Sequence, residues 1–473
     1  MTKFRLFVLS FLAISFFAFI SCQQAEQNNP KAKYVFFFIG DGMGVSQVLA
    51  TEAFQSAMTG EGNHIPLGFR EFPEAGLSTT YAANRFITGS AAAGTALATG
   101  YKTNIGRISM DTSGTVPFET IAEKAKKKGM KVGIISSVSI DHATPAVFYA
   151  HQPNRGMYFE IGLDLAASNI DFFGGGGFRK PEGEFEGEKI KIIELAQQNG
   201  FEYINTKAAF GALTPSDHKV LFVNPGLTGG EAMLYAIDQP EGYISLADIT
   251  KKAIELLDNE NGFFMMVEGG KIDWVCHAND AATTVYEVLD FSAAVDVAVS
   301  FYKQHPDETL ILVTADHETG GLGLGSNVMK YESDYSLLAH QKVSGEAFNK
   351  ILSDWRKDNH INEKGFKKML MLLEENFGFG GEEAPIALSR GEKETLKKAF
   401  MAYDLSQESE YGNYNRLTYV ATEILAHRAG LGWTTYSHTG VAVPVYTIGV
   451  YSTAFSGNID NTDIPKLIWE TIE

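Results

Sequence analysis

Cysteine is almost missing from this sequence. Its 473 residues contain two, Cys22 and Cys276, so no disulfide framework holds the fold. A basic excess is missing as well: 57 acidic against 39 basic residues leave a formal charge of −18. That balance excludes nucleic-acid binding driven by phosphate contacts. No internal repeat occurs, and no low-complexity tract beyond a polar stretch near the N-terminus. What is present is a globular composition, 45% hydrophobic and 20% charged, in a chain long enough to bury a large core.

The N-terminus reads "MTKFRLFVLSFLAISFFAFISCQQ". Lys3 and Arg5 precede an apolar run from Leu6 to Ile20, which at about 15 residues is short for a spanning helix of roughly 20. A basic start, an apolar middle and a small residue at the end predict a signal peptide over residues 1–21. Ser21 before Cys22 is similar to the lipobox of bacterial lipoproteins, although Phe19 stands where that pattern usually has leucine. Simple cleavage with an incidental Cys22 is the alternative. The expectation is an exported, periplasmic or cell-envelope lipoprotein that meets the membrane only through a lipidated Cys22, with residues 22–33 as its tether.

The body of the chain, residues 34–473, is punctuated by short apolar runs: "YVFFFIGDG", "KVGIISS", "GFFMMVEGG", "TLILVTADH" and "PVYTIG". Continuous apolar runs of this length suit strands buried on both faces of a parallel sheet. Helix-like segments such as "FETIAEKAKKKG" and "VYEVLDFSAAVDVAVSFYKQ" lie between them. The alternation predicts an α/β doubly wound fold, a mostly parallel central sheet between helical layers. Two regions read as insertions. Residues 156–250, with "GGGG" at 174–177, predict loops and peripheral elements. Residues 325–430 predict a large helical elaboration over the active-site face, with Gly378 and Gly430 as helix stops. It leaves two uses open, narrowing the pocket or forming a contact in a homodimer.

Functional residues of such folds gather beyond the carboxyl ends of the strands. Asp41, Glu268, Asp316 and His317 sit there. In "VEGGKIDWVCHAND", a helix beginning near Ile272 puts Asp273 and His277 one turn apart on one face, a spacing suited to two ligands of one metal. "YSHTG" adds His438. Any one of these alone is more often a surface or satisfied core residue. Three histidines and four carboxylates together form the donor set that zinc prefers, with hard oxygen ligands left for magnesium. The stretch "ITGSAAAGTALATG" at 87–100 stays ambiguous on its own, either close packing of small residues or a nucleophile, Ser90, at a helix start.

In order along the chain, "FFIGDGMG", "GSAAAGTALATGYKT", "DHATPAVFYAHQPNR", "VEGGKIDWVCHAND", "VTADHETGG" and "SHTG" resemble the motifs of the alkaline phosphatase family. The resemblance spans roughly residues 34–325 and 431–455. It implies one zinc site from Asp273, His277 and His438, and a second from Asp41, Asp316 and His317. It also implies a magnesium site from Asp41, Thr144 and Glu268, hence two zinc ions and one magnesium ion per chain. Ser90 falls at the nucleophile position and Arg155 at the position that holds substrate phosphate. The implied reaction hydrolyses small phosphate monoesters through a phosphoserine. Two zinc ions on the order of 4 Å apart ionise the serine and stabilise the departing alkoxide, and arginine takes two phosphate oxygens at once.

Departures from the family pattern define the open questions. Members commonly carry aspartate just before the nucleophile, where it holds the arginine; this chain has Gly89. His142 and Trp274 stand at variable positions near the metals. His142 touches the third site directly, touches it through water, or packs; Trp274 shapes the phosphate pocket or fills core. The runner-up activity is diester or other ester hydrolysis by the same superfamily. A third metal site favours monoesters, and "SAAAG" lacks the C/S-x-P-x-R setting of sulfatases. A non-catalytic lipoprotein that binds metal or phosphate predicts damaged ligands or a missing nucleophile, and neither is present. Thr88 is the alternative nucleophile.

Overall fold

The five apolar runs form neighbouring strands of one sheet. The computed structural model describes residues 31–60, 64–216, 218–402 and 414–473; the predicted signal peptide and Cys22 lie outside the described residues. The sheet is built from β1 (Tyr34–Ile39), β2 (Glu74–Thr79), β3 (Lys131–Ser136), β4 (Phe172–Gly175), β5 (Phe201–Ile204), β6 (Lys219–Val223), β7 (Phe263–Glu268), β8 (Thr309–Thr314), β9 (Val443–Gly449) and β10 (Gly457–Asp460). Their order is β10-β2-β9-β8-β1-β7-β3-β4-β6-β5. Only β9 runs antiparallel to its neighbours.

Strand β1 shows why the runs are continuous rather than alternating. Val35, Phe37 and Ile39 enter one core, with Ala91, Leu97 and Ile468, while Tyr34, Phe36 and Phe38 enter the opposite core, with Val288 and Phe291. Helices Ser90–Thr99, Ile121–Lys127, Tyr158–Ala167 and Asp463–Ile472 cover the first face, and Leu246–Leu257 and Ala281–Tyr302 the second. A strand with helices on both sides must be apolar at every position. Register then places the chemistry. Ile39 of β1 pairs with Glu268 of β7 and with Thr314 of β8, so three strands end level and release Asp41, Glu268 and Asp316 side by side.

Residues 156–250 are not peripheral. They supply β4, β5 and β6, the last three strands at one end of the central sheet. The glycine cluster that suggested loops is instead the place where β4 presses against the end of β3. A Cβ on Gly175 would stand 1.8 Å from the Ser136 carbonyl oxygen, and one on Gly176 would stand 2.2 Å from that of Val138. Close backbone approach and turns draw on the same residue, and the composition alone does not separate them.

Residues 325–430 are helical, with Gly345–Asp358, Glu363–Phe377, Arg390–Met401 and Arg416–Ala429 packed around a core of their own. Ala50, Phe54, Ala281, Ala282 and Val285 join that core to the main body. Buried Asp280 adds a polar bolt: its carboxylate accepts from Gln341 Nε2 at 2.9 and 3.0 Å, from the Gly345 N–H at 3.1 Å and from the Tyr414 hydroxyl at 3.3 Å. Among the described residues no helix is long and apolar enough to cross a membrane.

Candidate active site

The helix Lys271–His277 starts after β7 and carries Asp273 and His277 one turn apart, as their spacing predicts. His438 arrives from a two-residue strand paired with Glu318–Thr319, in which Thr319 lies opposite His438. His277 Nδ1 donates to the Tyr436 carbonyl at 2.7 Å and His438 Nδ1 to that of Thr88 at 2.9 Å. Each ring therefore turns its Nε2 toward the site. The two Nε2 atoms face each other at 3.0 Å, with Asp273 Oδ1 at 3.4 and 3.5 Å. Two imidazole nitrogens this close need a proton or a metal cation between them. Bonds of roughly 2.0 Å in a tetrahedron put zinc ligands about 3.3 Å apart, close to what these three atoms show.

The second group repeats the pattern deeper in. His317 Nε2 stands 3.4 Å from Asp41 Oδ1 and 3.3 Å from Asp316 Oδ2, all fully buried. Ser90 Oγ lies 3.3 Å from the same nitrogen. Ser90 is the first residue of its helix, with Gly89 as cap in extended conformation. The leading N–H groups of a helix have no intrahelical partner and favour an anion. Thr319, not anticipated from the sequence, ties the two groups together. Its hydroxyl donates to Asp273 Oδ1 at 2.5 Å and stands 3.3 Å from His317 Nδ1.

Asp41, Glu268 and His142 form a third group of converging donors. Thr144 donates to Asp41 Oδ2 at 3.3 Å, and Ser136, also not anticipated, holds Glu268 Oε2. Here the Gly89 question meets an answer: Arg155 Nη2 donates to His142 Nε2 at 2.8 Å. A neutral imidazole that accepts on Nε2 carries its proton on Nδ1. While it holds Arg155 in this way, Nε2 is occupied and the protonated Nδ1 has no lone pair to offer a metal, so His142 is not a direct ligand there. Trp274 packs edge-on against the His142 ring at 5.9 Å and is buried.

Every group contains a buried carboxylate oxygen with no hydrogen-bond partner: Asp41 Oδ1, Asp273 Oδ2, Asp316 Oδ2 and Glu268 Oε1. Burial and then the charges of Asp316, Asp273 and Glu268 push Asp41 well above the usual carboxylate range. Burial likewise pushes Glu268 to about 8, against its Ser136 hydrogen bond and with Asp316 and Asp273 adding to it, and Asp316 to about 7, with Asp273 adding. Burial raises Asp273 too, but His277, His438 and His317 hold it well below its ordinary value. At about 4 Å, two like charges repel by about 4 kcal/mol even at an effective dielectric of 20. Bound cations would offset both the burial and the mutual repulsion, and so favour the ionised form of all four carboxylates at neutral pH. Burial, with neighbouring positive charge, drives His317 and His142 well below the ordinary imidazole value, leaving both neutral.

All twelve residues singled out from the sequence thus stand at one edge of the sheet. A family profile described as alkaline phosphatase matches residues 32–473. Alkaline phosphatase 3 of Bacillus subtilis is 30% identical over 483 residues, covering 98% of this chain and 96% of that protein. The Escherichia coli alkaline phosphatase is 31% identical over 60% of this chain and 70% of its own. The crystal structure of a cold-active alkaline phosphatase from the psychrophile Shewanella sp. superposes with a TM-score of 0.78 at 30% identity, covering 93% of this chain and all of that one.

Proposed function

Because the chain belongs to the alkaline phosphatase family, metal-dependent enzymes that hydrolyse phosphate monoesters, we propose that it works through a Ser90 phosphoserine at a site for two zinc ions and one magnesium ion. The observation that carries this reading is the convergence of three donor groups, each with an orphaned carboxylate oxygen, beside the Ser90 hydroxyl. Asp273, His277 and His438 would hold one zinc, and Asp41, Asp316 and His317 the other. Asp41, Glu268 and Thr144 would hold magnesium. When bound, these ions supply the positive charge that offsets a phosphate dianion and favours ionisation of a nearby hydroxyl.

Ser90 Oγ attacks phosphorus opposite the leaving oxygen, giving a phosphoserine and releasing the alcohol. Water then attacks the same phosphorus, freeing Ser90 and inorganic phosphate. The start of helix Ser90–Thr99 offers backbone donors to the phosphoryl oxygens. Arg155 grips two of them in a planar fork, and His142 fixes where that fork points. In this reading the anchoring of Arg155 passes to His142, in place of an acid at position 89. We further propose export and a lipid anchor on Cys22; Cys22→Ala should move the protein from the membrane to the soluble fraction.

Initial rates on 4-nitrophenyl phosphate, its bis ester and its sulfate test the choice of reaction. The monoester should be strongly preferred, and preference for either of the others would contradict the assignment.

A further inference from the structure

Thr319 stands where the first two donor groups meet, and its hydroxyl serves one ligand of each. The residue is fully buried and its backbone is fixed at both ends. Its N–H donates to the Gly42 carbonyl at 3.1 Å, and its carbonyl accepts from Gln47 Nε2 at 2.8 Å. Gln47 Nε2 also donates to Glu318 Oε1 at 2.8 Å, and the same carboxylate accepts from the Gly321 N–H at 2.9 Å and from the Thr439 hydroxyl. The paired short strands that deliver His438 are thereby clamped to the helix Val45–Thr59. Space around the hydroxyl is equally constrained. A Cβ on Gly42 would stand 2.9 Å from Thr319 Oγ1 and 2.9 Å from Asp273 Cα, so the turn after Asp41 leaves the hydroxyl no room to move away.

A threonine hydroxyl carries one proton and two lone pairs. Asp273, as an ionised ligand, can only accept, so its Oδ1 at 2.5 Å takes that proton. His317 Nδ1, 3.3 Å from the same hydroxyl oxygen, then faces lone pairs and must carry the N–H that donates. That choice leaves the His317 lone pair on Nε2, the nitrogen turned toward Asp41, Asp316 and Ser90. One hydroxyl therefore orients a carboxylate of the first group and sets the tautomer of the imidazole in the second. We infer that Thr319 is a shared positioning residue, whose single hydroxyl sets the zinc affinity of both groups together. The inference rests on the two-zinc reading above. His277 and His438, by contrast, are anchored on the carbonyls of Tyr436 and Thr88, and both belong to the first group.

The test counts zinc per chain in buffers of graded free zinc, with magnesium saturating, for the intact protein and two variants. Thr319→Val keeps the shape and removes the hydroxyl. It should raise the free zinc needed to half-fill both sites by about tenfold or more, whereas Thr319→Ser, which restores the hydroxyl, should keep both within about threefold of the original. A shift at neither site, or at one site only, overturns the inference, as does a serine variant that shifts as far as valine. Should the valine variant fail to fold, the zinc-loaded original still decides. Its His317 Nδ1–H, identified in a proton–nitrogen correlation spectrum of histidine-labelled protein by its loss in His317→Gln, should be present and slow to exchange with solvent. An absent or rapidly exchanging signal overturns the inference. An original that holds fewer than two zinc ions at any free zinc contradicts the two-zinc reading instead, a result distinct from two filled sites that ignore Thr319.

Discussion

Helices Ser90–Thr99 and Glu363–Phe377 sit in one molecule and obey different rules. In the first, all ten residues are buried and none is larger than leucine. In the second, six are buried, including Phe366, Met369, Leu373 and Phe377 at helical spacing, while Met371 is exposed. The second helix has an apolar stripe because it needs only to cover a core. The first is shaped by what must come close to it. A Cβ on Gly94 would meet Val147 Cγ2 at 3.0 Å and the Thr144 Cα at 3.8 Å, so its small residues bring the turn bearing Thr144 against the helix that starts at Ser90. Close packing and chemistry are one arrangement there. In the insertion, packing stands alone.

Substitutions can break that contrast. The largest effect belongs to Ser90→Ala, which should lower kcat/KM by about 10³-fold or more while metal analysis finds zinc retained; unchanged turnover would move the nucleophile to Thr88. Asp273→Asn should lose one zinc per chain and about 10²-fold in rate, read by metal analysis beside kinetics. His142→Ala frees Arg155 and should raise KM about tenfold more than it lowers kcat; a change confined to magnesium affinity would instead make His142 a direct ligand. Leu373→Ala in the insertion should cost roughly 2–5 kcal/mol of stability in denaturant unfolding and leave the kcat of the folded enzyme within about twofold.

Metal removal sharpens the contrast from the electrostatic side. Asp41, Glu268 and Asp316 have carboxyl groups raised in the folded protein, to about 8 and about 7 for the last two, chiefly by burial. Below pH 6.5, roughly, buried neutral His317 and His142 bind fewer protons folded than unfolded and oppose this effect; above it the raised carboxyls act alone, the metal-free folded state binds more protons than the unfolded chain, and its stability falls as pH rises toward 8. Tm after chelation should drop on the order of a few degrees from about pH 6.5 to pH 8, and reloading with zinc and magnesium should abolish the slope.

The sheet was legible because strands buried on both faces leave continuous apolar runs, as β1 does. The metal donors were legible because strand ends in register bring Asp41, Glu268 and Asp316 together, and a helical spacing of four joins Asp273 to His277. Residues 156–250 were misread because Gly175 and Gly176 serve close strand contact with a residue type that also marks turns. The Arg155–His142 pair was hidden because twelve residues separate the partners and no spacing rule connects them. Thr319 and Ser136 went unnoticed as ordinary hydroxyl residues, though Thr319 lies within "DHETGG" itself.

Ser90 as nucleophile is tested most directly by quenching turnover of 4-nitrophenyl phosphate in acid and locating the covalent phosphate by mass spectrometry. A phosphoryl group on the peptide at Ser90, absent from Ser90→Ala, is the expected result. Phosphate on Thr88, or a protein that turns over without ever carrying phosphate, would contradict it.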